Sequence, residues 1–413
     1  MSRSDASSAA RAFPSYDSDR RARTAALAGM IGLAVALGVG RFAFTPLLPL
    51  MLADGAIGLK AGSWLASANY AGYFVGAVSC AALRVAPARM VRFGLAATVL
   101  LTAAMGVGHL LPVWLAVRFV AGVVSAWTFV FVSQWGLRRL AELHAPEWSG
   151  VIYAGPGVGI VLTGLIGSAL AGQRAAWGWL GFAALSAVLS VAIWRTFGGT
   201  SAPGLTSSGG APRAPAAAAP AATPRHRADA VSLVALYAMP GFGYIITATF
   251  LPVIARAALP AGSPWPDLFW PMFGAALIVG AIAAARLPAH WDNRLLLAGG
   301  CVTQALGIAA GIVRPNAAGF SLGSVLLGLP FTAITLFAMR EARRLHGERA
   351  AGLMGYATAS YGVGQIAGPL VAAPLVAQSG SFTPVLWIAA ASLVAGAAGF
   401  AMRASRGRRW SPD

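Results

Sequence analysis

The chain has 413 residues, of which 58% are hydrophobic and only 10% are charged, and its formal net charge is +18. A soluble globular protein of this length cannot bury so large an apolar fraction. The composition therefore excludes a soluble architecture and predicts an integral membrane protein.

Hydrophobic runs recur along the chain at about the 20-residue length that crosses a bilayer as an α-helix. These runs are long and apolar on all faces, unlike the short alternating strands of a membrane barrel. We predict an all-α integral membrane fold with twelve transmembrane helices in two pseudo-symmetric halves of six. The predicted spans are residues 25–52, 62–83, 93–111, 113–136, 150–172, 176–196, 230–255, 267–287, 294–313, 318–340, 352–376 and 383–402.

Composition also divides the chain into segments. Residues 1–23 are polar and are predicted to be a disordered N-terminus, leading into a run too long for a signal peptide. Residues 198–229 are rich in Gly, Ser, Ala and Pro and cannot bury a core, so they are predicted to be a disordered linker. The linker separates an N-terminal half, 24–197, from a C-terminal half, 230–402, which is followed by a tail, 403–413.

The basic residues indicate the orientation of these helices. Of the thirty Lys and Arg residues, 24 lie in the termini and alternate loops that share one side, and four lie in the loops of the other side. Lys and Arg concentrate on the cytoplasmic side of membrane proteins. The pattern predicts that the linker and both termini are cytoplasmic.

The two halves also repeat each other in sequence. The stretch "GVGRFAFTPLLP" from Gly38 aligns with "GFGYIITATFLP" from Gly241, with both glycines and the final proline in register. A second match pairs Arg138, Arg139, Leu140, Gly150, Gly157 and Gly159 with Arg343, Arg344, Leu345, Gly355, Gly362 and Gly364. Parallel repeats of six helices are a transporter architecture.

Two short motifs in the N-terminal half resemble those of a known protein family. "RFVAG", from Arg118 to Gly122, and "GPGVG", which contains Gly155, Pro156 and Gly159, resemble helix motifs of the major facilitator superfamily. "GRFAFTPLLPLM" followed by "WLASANYAGYFVGA" resembles the YbfB/YjiJ-type branch over nearly the whole chain. The resemblance implies a secondary transporter of the bacterial inner membrane, in which spans 1, 4, 7 and 10 line a central cavity and the halves rock in alternating access.

Two cations, Arg41 and Arg118, lie inside spans 1 and 4. An Arg near mid-bilayer costs about 2.5 to 3.5 kcal/mol on insertion scales, so both should face protein or water. None of the twelve acidic residues is predicted to be mid-membrane, which favours a small organic anion such as a carboxylate as substrate. Alternatives remain open: Arg41 bonds loop carbonyls or pairs with Asp54 in an outer gate, and Arg118 serves helix packing.

Other polar and proline positions are weaker candidates, each with helix packing as its alternative. The candidate cavity residues are Asn69, Tyr73, Trp127, Gln134, Tyr244 and Thr247, and Tyr356, Tyr361 and Gln365 add further polar groups in span 11. Tyr244 occupies the position equivalent to Arg41. Pro46 and Pro49 are predicted to kink span 1 as gating elements.

These features predict a secondary active transporter of a small organic solute, with proton coupling through the substrate's carboxyl or through His109. Export of neutral hydrophobic or drug-like compounds is the alternative. A polytopic membrane enzyme is a distant one, because no cluster of acids, histidines or nucleophiles is evident. No cofactor or metal is expected, since Cys80 and Cys301 lie in different spans without nearby ligands. The expected partners are the solute, protons and the bilayer, without nucleic acid, around a monomer.

Overall fold

The computed structural model describes residues 16–198, 224–288, 290–347 and 350–408. Residues 1–15, residues 199–223 of the predicted linker and residues 409–413 lie outside the described residues. The helices are α1 (Tyr16–Leu33), a π-helix (Ala34–Val39), α2 (Phe44–Ala53), α3 (Leu59–Ser79), α4 (Pro87–Val107), α5 (Leu111–Glu142), α6 (Ser149–Ala169), α7 (Ala175–Trp194), α8 (Pro224–Ala258), α9 (Trp265–Ala285), α10 (Asn293–Val313), α11 (Ala317–Gly328), α12 (Phe331–His346), α13 (Ala350–Ser379) and α14 (Thr383–Arg408).

These helices confirm the predicted all-α membrane fold of twelve spans. By length and composition, 11 helical segments in the described part of the chain can cross a membrane. One of them joins α1, the π-helix and α2, and another joins α11 and α12. The twelfth span is α3, which is less apolar than the others. Its Ser63, Ser67 and Asn69 side chains are buried against neighbouring helices. The polar groups of α3 therefore face protein, which explains its weaker hydrophobic signal.

Three helices extend further than the sequence predicts. α1 begins at Tyr16 and α8 at Pro224, both inside segments that were predicted to be disordered, and α14 continues to Arg408. Ion pairs lie in the added turns of α1 and α8. Arg23 and Asp19 form an i,i+4 pair at 2.8 Å in α1, and pairs of this spacing stabilise helices.

A buried ionic cluster anchors the first turns of α8. Arg294 of α10 contacts Asp229 of α8 at 2.9 Å and Glu341 of α12 at 2.6 Å. Arg344 adds a second contact to Glu341 at 2.7 Å. Because every carboxylate in the cluster has a cationic partner, the desolvation cost of burying it is offset. The cluster joins three helices of the C-terminal half.

The two halves meet mainly at one end of the bundle. We call the end that carries Tyr16 and Arg408 the terminal end, and the opposite end the far end. Across the interface α3 packs on α13, α6 on α9 and α2 on α8. One apolar cluster combines residues of both halves, among them Leu47 and Phe250. A second cluster, which includes Met90 and Phe197 at the terminal end, contains N-terminal-half residues only.

Hydrogen bonds follow the same distribution. Among the described residues, the side-chain hydrogen bonds that cross between the halves are those of Arg41, Thr45, Ser67 and Tyr70. Thr45 donates to the carbonyl of Ala248 at 3.1 Å, and Tyr70 shares a hydrogen bond of 2.9 Å with Thr249. These groups lie from the middle of the bundle toward the far end. The halves are therefore closed against each other on that side.

The motif glycines serve close packing within the N-terminal half. A Cβ at Gly122 would lie 2.0 Å from the carbonyl oxygen of Asn69, and one at Gly72 would lie 1.9 Å from that of Phe119. The backbones of α3 and α5 therefore touch. Small residues permit this approach in membrane helices.

The "GPGVG" glycines pack against the first span in the same way. A Cβ at Gly155 would lie 2.3 Å from the carbonyl oxygen of Met30, and one at Gly159 would lie 2.5 Å from that of Ala34. Pro156 lies between them inside α6. This motif fixes α6 against α1 and the π-helix.

Candidate functional site

Arg41 lies in a break between two helical parts of the first span. The π-helix before it is closed by i to i+5 hydrogen bonds, from Gly40 N to the carbonyl of Val35 and from Phe42 N to that of Leu37, both 3.0 Å. π-Helical segments are rare in proteins, and those that occur are often located at functional sites. The α-helix resumes only at Phe44. The break places a cation within the membrane span on irregular backbone.

The prolines of this span lie after the break rather than in it. Pro46 is near the start of α2, where its missing N–H is least costly, and Pro49 is inside that helix. A Cβ at Gly167 of α6 would lie 2.9 Å from Pro46 Cβ. Pro46 therefore packs closely on α6, beyond the break that holds Arg41.

Arg41 bonds to the opposite half of the protein. Its side chain is buried, and Nη2 donates to Oε1 of Gln365 on α13 at 2.7 Å. The guanidinium carbon lies 4.1 Å from the ring centroid of Tyr73 and 5.3 Å from those of Tyr70 and Phe42. Rings in these positions attract a cation. Nε has no hydrogen-bond partner, and none of the described ion pairs includes Arg41.

Arg118 supports the backbone that carries Arg41. It is buried in α5, and its Nη1 and Nη2 donate to the carbonyls of Gly40 at 3.5 Å and Arg41 at 3.3 Å. Asn69 in turn donates to the carbonyl of Arg118 at 2.9 Å. Carbonyls freed by the helix break thus receive donors from Arg118. This geometry makes Arg118 a residue that positions Arg41.

The pairing of Arg41 with Asp54, which the sequence left open, does not occur. Asp54 is exposed at the far end and accepts a hydrogen bond of 2.6 Å from the backbone N–H of Ala175. Ala175 is the first residue of α7. A carboxylate at a helix N-terminus satisfies an unpaired N–H and interacts favourably with the helix dipole. Asp54 therefore connects α2 to α7.

A tyrosine stack continues from Gln365 through the C-terminal half. Gln365 donates from Nε2 to the hydroxyl of Tyr244. The Tyr244 and Tyr361 rings are stacked with centroids 5.9 Å apart, and Tyr361 and Tyr237 are 4.8 Å apart. The hydroxyl of Tyr237 donates to Thr335, an exposed residue of α12, at 3.1 Å. A line of polar and aromatic groups therefore joins Arg41 to an exposed position on α12.

The structure brings together Arg41, Arg118, Asn69, Tyr73 and Tyr244, but not the remaining predicted cavity residues. On α5, Trp127 lies about 14 Å beyond Arg118, given the helical rise of 1.5 Å per residue. Its indole N–H donates to the Ser79 hydroxyl at 2.9 Å. Gln134 is exposed, further along the same helix.

Thr247 lies in a different environment, within the C-terminal half. It lines a small, otherwise apolar pocket formed by α8, α10, α11 and α14. Its hydroxyl is buried without a hydrogen-bond partner.

Two residues of the site were not among the principal sequence candidates. Gln365 and Tyr361 are separated by one helical turn on α13, and Tyr237 and Tyr244 by two turns on α8. Residues at these spacings share a helix face. Polar residues that share one face of span 7, and others that share one face of span 11, were therefore a signal of this site in the sequence. Their convergence on Arg41 depends on packing between the halves.

Fold and site together define a class of protein. Twelve membrane helices form two halves, joined at α3–α13 and α6–α9, around a buried cation on a broken first helix. This is the architecture of a membrane transporter of the major facilitator type.

Comparison with known proteins identifies the family. The family model described as "Uncharacterised MFS-type transporter YbfB" matches residues 33–400. The chain belongs to this family, and the predicted superfamily and branch are confirmed. No curated protein matches the sequence.

Solved structures agree on the fold. The crystal structure of the nucleoside transporter NupG is similar with a TM-score of 0.67, covering 92% of this chain and 99% of that one at 14% sequence identity. At this identity the likeness shows a shared fold and carries no substrate across.

Proposed function

We propose that the protein is a secondary active transporter that carries a small organic anion, a carboxylate, by alternating access. One observation carries the proposal: Arg41 is buried within the membrane span and has no carboxylate partner among the described residues. Its side-chain acceptor is the neutral amide of Gln365. A carboxylate offers Arg two charge-assisted hydrogen bonds, which are about twice as strong as neutral ones.

Gln365 occupies the place that a substrate oxygen would take. Its Oε1 accepts a hydrogen bond from Arg41 Nη2, and this bond joins the two halves. Its Nε2 donates to Tyr244 within the C-terminal half. A carboxylate that binds Arg41 displaces this amide oxygen and removes one of the bonds that close the far side. A ligand that binds one conformation better shifts the population toward it. Substrate binding thereby favours reopening of the halves.

The sequence predicts proton coupling through the substrate's own carboxyl or through His109. His109 lies exposed between α4 and α5 at the far end, away from the Arg41 site. An exposed His in a loop is poorly placed to exchange a proton with a solute at Arg41. His109 is therefore not used for coupling in this proposal, and the solute binds Arg41 as the deprotonated carboxylate.

Transport of matched solutes tests the proposal. Proteoliposomes containing the purified protein are loaded with small radiolabelled monocarboxylates or with the corresponding uncharged amides. We expect the carboxylates to exchange across the membrane at least about tenfold faster than the amides, because only they form the charged pair with Arg41. Equal rates for acid and amide would contradict an anion site and favour carriage of neutral solutes.

A labelling experiment tests the orientation that the basic residues predict. In a background with Cys80 and Cys301 replaced by Ser, we expect Arg84→Cys to react with a membrane-impermeant maleimide only from the cytoplasmic side. Ala56→Cys should react only from the opposite side. Both positions are exposed, in the α3–α4 and α2–α3 loops at opposite ends of the bundle. The reverse labelling pattern would overturn the assignment of the terminal end to the bacterial cytoplasm.

A further inference from the structure

Pro252 of α8 leaves a backbone carbonyl without its helical partner. Proline has no N–H, so the carbonyl of Ala248, four residues earlier, cannot accept the hydrogen bond that an α-helix normally provides. Ala248 and Pro252 both lie inside α8 and are buried. A carbonyl that is buried away from water and unpaired costs free energy comparable to a lost hydrogen bond. The carbonyl of Ala248 therefore needs a donor from elsewhere.

Thr45 of the opposite half supplies that donor. Its hydroxyl donates to the carbonyl of Ala248 at 3.1 Å, and Thr45 is itself buried. Other buried hydroxyls of the N-terminal half, such as that of Thr98, donate to the carbonyl four residues earlier in their own helix. For Thr45 the corresponding carbonyl is that of Arg41, which accepts from Arg118. The hydroxyl of Thr45 instead bonds across to the other half.

The two partners occupy equivalent positions of the sequence repeat. In the match of "GVGRFAFTPLLP" with "GFGYIITATFLP", Thr45 aligns with Ala248, and both lie four residues before the shared proline. Equivalent positions of two halves can touch only near the pseudo-two-fold axis that relates them. The next residue, Thr249, shares a hydrogen bond of 2.9 Å with Tyr70, again between the halves. The contact therefore lies in the seam that closes the far side.

We propose that the Thr45 hydroxyl and the Ala248 carbonyl form a latch that holds the far side closed, in which the hydroxyl replaces the N–H that Pro252 lacks. Opening of the far side separates the two groups and lets water solvate both. Without the hydroxyl, the carbonyl is buried and unsatisfied in the closed state only, which penalises that state. The latch assumes that the halves open on this side, as the proposed function does, but it requires no anion at Arg41.

Distances between spin labels on the two halves measure how often the latch opens. Labels are attached at Ala56→Cys and Ala261→Cys, exposed positions in the α2–α3 and α8–α9 loops at the far end, with Cys80 and Cys301 replaced by Ser. Double electron–electron resonance then gives the ratio of far-open to far-closed protein. Thr45→Val, which removes the hydroxyl and keeps the shape, should raise this ratio about five- to twentyfold. Thr45→Ser, which keeps the hydroxyl, should stay within about twofold of the wild type.

Pro252→Ala tests whether the proline creates the latch. The new N–H pairs with the Ala248 carbonyl inside α8, so this carbonyl no longer depends on Thr45. In the Pro252→Ala background, Thr45→Val should change the ratio by less than about twofold, and comparison of the four variants cancels any effect of straightening α8.

Two results would contradict the latch. A ratio that Thr45→Val leaves unchanged in the presence of Pro252 would overturn it. An equal effect of Thr45→Val with and without Pro252 would contradict the role of the proline. Both measurements are made without solute, so their failure is distinct from failure of the anion site, which the exchange of acids and amides tests.

Discussion

Replacement of Arg41 by Ala is expected to reduce carboxylate transport by at least about 100-fold, since two hydrogen bonds to a charged group are lost. Arg41→Lys should retain partial activity, because a point charge replaces a planar fork. The measurement is the initial rate of carboxylate exchange in proteoliposomes. Arg138→Ala is the matched control, since Arg138 is exposed and its ion-pair partner among the described residues is Glu142 on the same helix.

The same variants should remain folded. Among the described residues Arg41 has no carboxylate partner, so its removal leaves no uncompensated buried charge, and Gln365 keeps its bond to Tyr244. We expect monodisperse protein with a melting temperature within a few degrees of the wild type. Wild-type transport by well-folded Arg41→Ala would contradict the anion site. Loss of folded protein in both Arg41→Ala and Arg41→Lys would instead assign Arg41 to structure.

Gly122→Ala is expected to destabilise the protein severely. The new Cβ would lie 2.0 Å from the carbonyl oxygen of Asn69 and 2.7 Å from the backbone nitrogen of Tyr73. Backbone atoms cannot move aside as a side chain can, so α3 and α5 must separate. Overpacking costs about 1 to 3 kcal/mol, occasionally more. The measurement is the melting temperature of the purified protein, together with its yield.

Gly181→Ala is the control for this substitution. Gly181 is exposed in the middle of α7, and a Cβ there would meet nothing within 4 Å. Ala favours a helix over Gly by about 1 kcal/mol, so this variant should be as stable as the wild type or slightly more stable. Equal melting temperatures for the two variants would show that the contact between α3 and α5 is not tight.

The fold was largely predictable because the bilayer restricts the choices of a chain. Apolar runs of spanning length, the positions of the basic residues and the sequence repeat were sufficient to predict twelve helices and two halves. Helix ends were less predictable. α1 and α8 begin earlier than expected, and Asp19 and Asp229 form ion pairs in their first turns that composition alone does not reveal.

The site was predictable only in part. Arg41 and Arg118 were evident because charges inside an apolar span are costly. The different environments of the two arginines were not evident from the sequence. They arise because the break at residues 40–43 frees the carbonyls that Arg118 binds, and a π-helix has no sequence signal of its own. The bond from Arg41 to Gln365 crosses between residues 324 positions apart. Such a contact follows from the packing of the two halves against each other, which one sequence does not specify.

The central claim is that Arg41 exchanges the amide of Gln365 for a substrate carboxylate. The most direct test is the affinity of benzoate for the purified wild type and for Gln365→Met, measured by calorimetry and repeated with Arg41→Ala in both. Removing the competing acceptor should tighten binding about tenfold when Arg41 is present. It should have no effect when Arg41 is absent. Binding that is no tighter in Gln365→Met, or a change of the same size without Arg41, would contradict the exchange.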